Sequence, residues 1–356
     1  MERYVWELTH GLMMHGCKVA VICEEVFGHP DRRIRVEKIE KKVSPKPRWK
    51  AMIRFREEVD YLISQKFDYE KIIVHSHERS INHQVTTFHG PPFSHLGRSW
   101  LYTLLDRLIP RHRAWLALER DELLNTSVQI VISVSKMIED DLRYRYKTLN
   151  QKKTFVGWPG VYIQSLKNDL SDRHLGVEYK FLFVGKEWKR KGLEEAVGLV
   201  THFRNVTREK ATLDIIGPEP GQLPKRFFSE DWINVRGFQT EILWNNFDAL
   251  IHLATKEPFG MVVAEARSHG VPVLLSDYVG AAEIPYGGVS RVGSGDSLDV
   301  KLSKLRFLIR NPNNRRQEVK WTWEDLVRLH LLEIYPCVEM GKGYCKSPRP
   351  LRSKNL

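Results

Sequence analysis

The sequence predicts an α/β protein with parallel sheets, and two observations lead to that prediction. Short apolar runs of strand length, at residues 128–135, 179–185, 249–254 and 271–276, are separated by segments with helical periodicity. Runs that are apolar at nearly every position are typical of strands buried on both faces of a parallel sheet. The chain has 356 residues, more than one hydrophobic core usually holds, so we expect two domains.

The first part of the chain alternates between helices and strands. Residues 5–13 have apolar side chains at helical spacing, residues 17–23 suit a strand, and a helix is expected at about residues 49–65. Two further strands are expected at residues 71–77 and 84–88. These elements make up the first half of an α/β domain.

A long helical stretch follows at residues 99–125 and is divided by Pro110. The buried strand at residues 128–135 comes next, and its last residue, Ser135, suits the N-cap of another helix. Residues 155–161 are irregular and aromatic, and we interpret them as a hinge between two domains.

The hinge divides the chain into an N-terminal domain of residues 1–157 and a C-terminal domain of residues 158–320. A last helix is expected within residues 321–340, with an apolar stripe formed by Leu326, Leu329, Leu332 and Ile334. Residues 341–356 are rich in lysine, arginine and proline, and we expect this basic tail to be disordered.

The net charge of +12 favours an anionic partner. No aromatic-basic RNA motif, zinc finger or helix-turn-helix is present, so we expect no nucleic acid. Four cations at the start of the predicted helix at residues 49–65 form either a solvated face or a surface for anionic lipid head groups or a phosphorylated acceptor; they are Arg48, Lys50, Arg54 and Arg56. No apolar run is long enough to span a membrane, and the spacing of the four cysteines favours reduced thiols in the cytoplasm.

The rest of the chain is organised around residues 252–285. The apolar strand before Glu257 is followed by Pro258 and Gly260, and a helix then begins at Met261. The free backbone N–H groups at the start of such a helix point to the carboxyl edge of the sheet and favour a phosphate, which Gly260 allows to approach closely. Pro258 forces Glu257 into an extended conformation on the loop, whereas Glu265 lies a turn inside the helix.

Two carboxylates beside a phosphate site suit a ligand with hydroxyl groups at both ends and phosphate in the middle. A nucleotide sugar has that layout, with its ribose at Glu265, its sugar at Glu257 and its diphosphate between them. The alternative is that both glutamates are surface charges on an ordinary helix.

The string from Glu257 through Pro-Phe-Gly to Glu265, with the later Gly270-x-Pro-Val and Gly280-Ala-Ala-Glu283, resembles the donor-site signature of the retaining glycosyltransferases of family 4. The resemblance implies the GT-B fold, in which two Rossmann-like domains face each other across a cleft and the last helix returns to the first domain. It also implies an acceptor-binding first domain, a donor-binding second domain, no metal and no cofactor besides the nucleotide-sugar substrate.

The resemblance extends to a basic loop after the strand at residues 179–185. Lys191 matches the lysine that contacts the donor diphosphate in the family, and either Arg190 or Lys186 would be the second cation. The alternative is a solvated turn. Further donor contacts are expected from the start of the helix and from the turn that shapes the base pocket; these are Phe259, Gly260, Met261, Val262 and Gly217.

On the acceptor side, the string Thr86-Thr-Phe-His89-Gly90 is similar to the strand end that places a histidine beside the donor sugar in this family. His89 could equally be a structural residue at a strand end. His75, His77 and His83 are close enough in sequence to suggest a zinc cluster, but their spacing fits one strand and a loop better than one ligand shell.

The resemblance therefore predicts a retaining, metal-independent transferase with Glu257 and His89 as catalytic residues. It would move a sugar from a UDP- or ADP-sugar to a hydroxyl of an anionic cell-envelope glycan or glycolipid, with lipopolysaccharide core as the narrower expectation. Such an enzyme would be cytoplasmic and peripheral on the inner membrane.

Two alternatives remain open. One is a GT-B epimerase or phosphorylase. The other is a donor-binding remnant without activity, because the chain begins after the position of the family's first strand and glycine-rich loop, and we suspect missing sequence there.

Overall fold

The structure is a computed structural model that describes residues 1–40, 47–93, 109–163, 178–316 and 320–340. These residues form two compact units. The first comprises Met1–Trp158 and the described residues from Trp323 onward, and the second comprises Pro159–Thr322. Both units combine helices with sheets whose strands pair in parallel, so the predicted α/β class is confirmed.

The helices and strands alternate along the chain. The α-helices are α1 (Glu2–Met14), α2 (Arg48–Lys66), α3 (Pro110–Leu124), α4 (Lys136–Arg145), α5 (Leu193–Thr207), α6 (Met261–Ser268), α7 (Leu298–Arg310) and α8 (Trp323–Leu329). The strands are β1 (Ala20–Cys23), β2 (Arg35–Lys38), β3 (His75–Ser76), β4 (Val85–Phe88), β5 (Ile130–Ser133), β6 (Lys153–Val156), β7 (Tyr179–Val184), β8 (Ala211–Ile216), β9 (Ile233–Gly237), β10 (Ala249–His252), β11 (Val273–Ser276) and β12 (Val289–Val292).

The first unit carries two parallel sheets. One has the order β3-β4-β5-β6, and the other pairs β1 with β2. Strand β5 is buried at every position because apolar side chains cover both of its faces, and Ile130 and Ile132 are fully buried beside Val85 and Ile334. As predicted, Ser135 caps α4, since its hydroxyl accepts a hydrogen bond from the Ile138 N–H.

The last helix, α8, belongs to the first unit, as the resemblance implies, and it packs on α1 there. A side chain at Gly11 in α1 would lie 2.3 Å from Val327 in α8, so the glycine allows the two helices to approach closely. A π-helical turn, His330–Ile334, follows α8 and widens the helix. The prediction that Leu332 belongs to the apolar stripe was wrong, because this turn changes the helical spacing and Leu332 is exposed while Ile334 is buried.

Three other features of the structure differ from what the sequence predicts. Phe155 and Val156, predicted to be irregular, belong to β6, and β12 was missed because only one of its residues is fully buried. The strand predicted at residues 71–77 is reduced to β3. Residues 99–108 of the predicted long helix and the tail at residues 341–356 lie outside the described residues.

No helix in the described part of the chain has the length and apolar character that crossing a bilayer requires. Cys17, Cys23 and Cys337 carry free thiols, and Cys345 lies outside the described residues.

The second unit has one six-stranded parallel sheet with the order β12-β11-β10-β7-β8-β9. The chain progresses outward in opposite directions from β7 and β10, which lie side by side at the centre. The loops after these two strands therefore leave the same carboxyl edge at the topological switch point, where open α/β sheets bind ligands.

Gly192 joins these two loops. It starts α5 with a φ of +78°, and a side chain there would lie 2.0 Å from the carbonyl oxygen of Leu253, which follows β10. A residue with a Cβ would clash with that backbone, so the close contact between the loops requires glycine.

We expect Gly192→Ala to lower the free energy of unfolding by about 3 kcal/mol, because it adds left-handed strain to a backbone clash. The measurement is urea unfolding. The matched control is Gly198→Ala within α5, where a side chain would meet open space. That variant should raise stability by up to about 1 kcal/mol, as alanine favours helix. Equal effects of the two substitutions would contradict this account.

Candidate functional site

The β7 loop (residues 186–192) and the β10 loop (residues 253–260) bring the predicted charged residues of the second unit together. The Arg190 guanidinium donates a hydrogen bond from Nη1 to Glu257 Oε2 at 2.9 Å. The Lys191 ammonium lies 3.7 Å from the same carboxylate oxygen. The backbone joins the loops as well, since the Thr255 N–H donates to the Arg190 carbonyl at 2.9 Å. Both cations therefore lie beside the same carboxylate oxygen of Glu257.

A second carboxylate completes the arrangement around Arg190. Glu187 Oε2 accepts from Nε of Arg190 at 2.9 Å and from Nη2 at 2.5 Å. Burial lowers the pKa of Arg190, but the hydrogen bonds to Glu187 and the charge of Glu257 outweigh it, so the pKa is raised. The guanidinium therefore stays charged and oriented between Glu187 and Glu257.

Backbone hydrogen bonds fix the position of Glu257. Its N–H donates to the Tyr278 carbonyl at 2.8 Å, and its carbonyl accepts from the Gly280 N–H at 3.0 Å. Gly260, with a φ of +90°, starts α6, and a side chain there would lie 2.9 Å from Val279. The β10 loop is thus held against the segment that follows β11.

The remaining residues of the predicted donor site differ in how far they are exposed to solvent. Phe259 and Val262 are buried. Met261 and Glu265 are partly exposed. Glu257 lies on the loop and Glu265 about one turn inside α6.

Lys186 and Gly217 lie elsewhere on the same edge. Lys186 Nζ is 4.5 Å from the ring centre of Phe238, an exposed side chain just after β9. Gly217 follows β8, and a side chain there would lie 2.8 Å from Gly185, so the ends of β7 and β8 pack closely. Of the two candidates for the second cation, Arg190 and not Lys186 is the neighbour of Lys191 and Glu257.

One residue of this unit that was not predicted from the sequence is His252. It is the last residue of β10 and fully buried, and neither ring nitrogen has a hydrogen-bond partner among the described residues. Burial lowers its pKa to about 3, with a further contribution from the charges of Lys191 and Arg190. The sequence signal for His252 is a single polar residue at the end of the apolar strand Ala249–His252.

In the first unit, His89 lies at the carboxyl edge of the sheet within a group of aromatic side chains. Its Nε2 is 3.0 Å from Nδ1 of His77, whose ring stacks on His75. His83 is turned away and bonds to Ser80 and to a backbone carbonyl. Within the described ranges, no three histidine, cysteine or acidic side chains are arranged to hold a metal ion.

Two buried acids of α3 lie close to an arginine two residues after His77. Glu119 and Glu122 of α3 share Arg79, whose Nη1 lies 3.2 Å and 3.5 Å from their carboxylates. Burial raises the pKa of Glu122 to about 8, although the Arg79 charge opposes the shift. The pair therefore retains a proton near neutral pH.

The predicted basic face of α2 is smaller than expected. Arg56 donates to Asp121 at 2.8 Å and is largely buried, so it belongs to the packing of α2 on α3. Arg48 and Lys50 are exposed and Arg54 is partly exposed.

Two families match the chain. Residues 1–164 match the family described as Glycosyltransferase Family 4, and residues 172–315 match the family described as Glycosyl transferases group 1. A curated relative from Campylobacter jejuni, N,N'-diacetylbacillosaminyl-diphospho-undecaprenol alpha-1,3-N-acetylgalactosaminyltransferase, is 23% identical over 202 residues. The match covers 52% of this chain and 52% of the relative, so it spans about half of that protein.

Solved structures share the fold over most of their length. WaaG, a glycosyltransferase involved in lipopolysaccharide biosynthesis, has a TM-score of 0.67 at 16% identity, covering 94% of this chain and 93% of its own. Sucrose-phosphate synthase from Thermosynechococcus elongatus has a TM-score of 0.69 at 18% identity, covering 94% and 92%. The lipopolysaccharide outer core galactosyltransferase WaaB has a TM-score of 0.57 at 14% identity, covering 93% and 94%. At identities this low, these matches show similarity of fold only.

We expect Glu122 to contribute a pH dependence in which the free energy of unfolding falls by a few kcal/mol as the pH rises from about 4.5 to about 8, because unfolding then lets Glu122 release its proton. The histidines with lowered pKa values contribute the opposite slope below about pH 6.5, so the contribution of Glu122 is the difference between the wild type and Glu122→Gln, in which a neutral amide keeps the hydrogen bond from Thr86. Urea unfolding at several pH values measures it.

The matched control is Glu119→Gln. The carboxylate of Glu119 accepts hydrogen bonds from Arg79, the Tyr146 hydroxyl and the Phe93 N–H, so an amide there removes the charge partner of Arg79 and an acceptor. It should lower stability across the pH range. An unchanged slope in Glu122→Gln would contradict the protonated state of Glu122.

Proposed function

Because the chain belongs to the family 4 glycosyltransferases, which have the GT-B fold, we propose that it transfers a sugar from a nucleotide-sugar donor to a hydroxyl of a cell-envelope glycan or glycolipid. The observation that carries the proposal is the contact of Glu257 with Arg190 and Lys191 at the switch point of the second unit's sheet. A leaving diphosphate needs cations and a donor sugar needs a hydrogen-bond acceptor, and this contact supplies both.

Lys191 and Arg190 bind the diphosphate in this proposal. Negative charge grows on that group as the glycosidic bond breaks, so cations held in place beforehand stabilise the transition state more than the ground state. The backbone N–H groups at the start of α6, from Met261 and Val262, add partial positive charge. In the free enzyme Glu257 balances part of the positive charge of Arg190, and in the proposed complex the diphosphate takes over part of that role.

Glu257 accepts a hydrogen bond from a hydroxyl of the donor sugar, and Glu265 accepts from the ribose. Phe259 and Gly260 shape the backbone between them. Lys186 and Gly217 lie toward the base, where the exposed Phe238 ring offers a stacking surface.

The transfer retains the anomeric configuration and needs no metal in this proposal. The bond from the anomeric carbon to the diphosphate breaks with its electron pair, and the acceptor oxygen forms its bond on the same face. The acceptor proton passes to a diphosphate oxygen. Two cations and a helix N-terminus supply the positive charge that a divalent ion would otherwise provide. His89 binds the acceptor in the first unit.

The substrates named for the similar proteins support a particular class of acceptor. The Campylobacter jejuni relative acts on an undecaprenol-linked sugar, and WaaG and WaaB are lipopolysaccharide enzymes. A lipid-linked or lipopolysaccharide-core glycan is accordingly the proposed acceptor, and a UDP- or ADP-sugar the donor.

We expect Glu257→Ala to reduce transfer by about a hundredfold or more, since the donor sugar loses the group that orients it. Lys191→Ala should weaken binding of the nucleotide sugar by tenfold or more, because a charged hydrogen bond to phosphate is lost. Transfer from labelled UDP- and ADP-sugars to envelope lipid extract, with calorimetry for binding, measures both effects.

The matched control is Lys189→Ala, which removes an adjacent cation that lies over Trp188. It should leave transfer and binding unchanged. Incubation of the donor without acceptor should leave the sugar unconverted, whereas an epimerase would convert it. Full activity of both Glu257→Ala and Lys191→Ala would defeat the proposal.

An anionic membrane surface is the proposed location of the acceptor, and the enzyme is proposed to bind the cytoplasmic face peripherally. The first turns of α2 carry Arg48, Lys50 and Arg54, which are exposed or partly exposed. Such cations each contribute about 1 kcal/mol near an anionic leaflet.

We expect the protein to sediment with vesicles rich in phosphatidylglycerol and not with vesicles of phosphatidylcholine. Changing Arg48, Lys50 and Arg54 together to alanine should weaken that binding by about a hundredfold. The control removes three exposed cations from the second unit, Lys210, Lys225 and Arg226. Equal loss in both triple variants would indicate a general charge effect and contradict a surface on α2.

A further inference from the structure

A hydrogen bond joins two imidazole rings at the carboxyl edge of the first unit's sheet. Nδ1 of His77 lies 3.0 Å from Nε2 of His89. His77 directly follows β3 and His89 directly follows β4, and these strands pair in parallel with Ser76 opposite Thr86. Continued by one residue, this register places His77 opposite Thr87, and His89 lies two positions further along on the same face, within reach of the His77 ring.

Neighbouring rings hold the pair in place. The His77 ring stacks on His75 with centroids 4.3 Å apart, and Tyr4 packs edge-on against His89 at 5.0 Å. His75 is itself fixed at both ring nitrogens by hydrogen bonds. Rotation of either member of the pair would displace its neighbour, so the hydrogen bond is pre-organised.

Both rings are neutral near pH 7. Burial lowers the pKa of His77 to about 3, and burial together with the charge of His77 lowers the pKa of His89 well below its ordinary value. A neutral imidazole carries one N–H and one bare nitrogen. One N–H fills the bond between the rings, so of the two remaining nitrogens one is a donor and the other an acceptor, whichever ring donates.

We propose that His77 is a positioning residue for the acceptor substrate: its hydrogen bond orients the His89 ring and couples the tautomer of His89 to its own, so that the tautomer of His77 sets whether Nδ1 of His89 donates to or accepts from the acceptor hydroxyl. The inference rests on the proposed function, in which His89 binds the acceptor. Nδ1 of His89 has no hydrogen-bond partner among the described residues. It is the ring nitrogen available to a hydroxyl.

The chemistry favours hydrogen bonding over proton transfer at this pair. A base whose protonated form is strongly disfavoured removes few protons near neutral pH. A hydroxyl, in contrast, both donates and accepts, and a ring nitrogen of fixed character selects one orientation of its O–H bond. His89 with mixed tautomers would bind the hydroxyl in two orientations, and only one would point a lone pair at the anomeric carbon.

The test compares His77→Phe with His77→Asn. Phenylalanine keeps a ring on His75 without the hydrogen bond, whereas the asparagine amide occupies the position of Nδ1 and can replace it. Ring ¹⁵N NMR of His89 should show a hydrogen-bonded Nε2 in the wild type and in His77→Asn, and a free Nε2 with changed tautomer populations in His77→Phe. The kcat for transfer should fall about tenfold in His77→Phe and recover in His77→Asn.

A double variant shows whether His77 acts through His89. His77→Phe combined with His89→Phe should be no slower than His89→Phe alone. An unchanged His89 spectrum in His77→Phe overturns the proposal, and so does a changed spectrum with an unchanged kcat. Failure of the proposed function gives a different result, in which the wild type transfers no sugar while His89 still changes tautomer in His77→Phe and shifts on addition of octyl glucoside.

Discussion

The candidate donor site depends on the ion pair between Arg190 and Glu257. The pair spans the two central loops of the second sheet and is only partly exposed to water, so breaking it would leave a half-desolvated charge. Glu187 orients the other side of the guanidinium, and the close approach at Gly192 keeps the loops together. The carboxylates beside the two cations offset their repulsion in the free protein, and under the proposed function an incoming diphosphate would find the cations already in position.

The first unit keeps its buried polar groups neutral instead. Desolvation disfavours the imidazolium forms of His75, His77 and His89 and the ionised form of Glu122. Most of these groups have hydrogen-bond partners, which lowers the cost of burying them. The edge of this sheet is therefore suited to directional hydrogen bonds with a neutral ligand, whereas the edge of the second sheet is suited to charge.

Much of the fold was predictable because buried strands and capped helices leave local patterns. Strand β10, the start of α6 after Gly260 and the cap at Ser135 follow from apolar runs and special residues a few positions apart. The pairings that define the sites are not local. The contact of Arg190 with Glu257 joins residues 67 positions apart, and loop side chains have no periodicity that fixes their direction. The helix contact of Arg56 with Asp121, which removes Arg56 from the predicted basic face, spans 65 positions. The same limit hid the pair of His77 and His89, whose contact depends on strand register.

The contrast between the two edges agrees with what the proposed reaction demands of each substrate. The donor releases a diphosphate whose charge rises along the reaction, so arginine and lysine are suitable partners because they stay protonated at any physiological pH. The acceptor is a neutral hydroxyl that must both give up a proton and present a lone pair. A protonated histidine pair would donate from every free ring nitrogen and lose its acceptor character. In the proposed function the desolvation of His77 and His89, which lowers the pKa of both rings, prevents that loss and so serves the reaction.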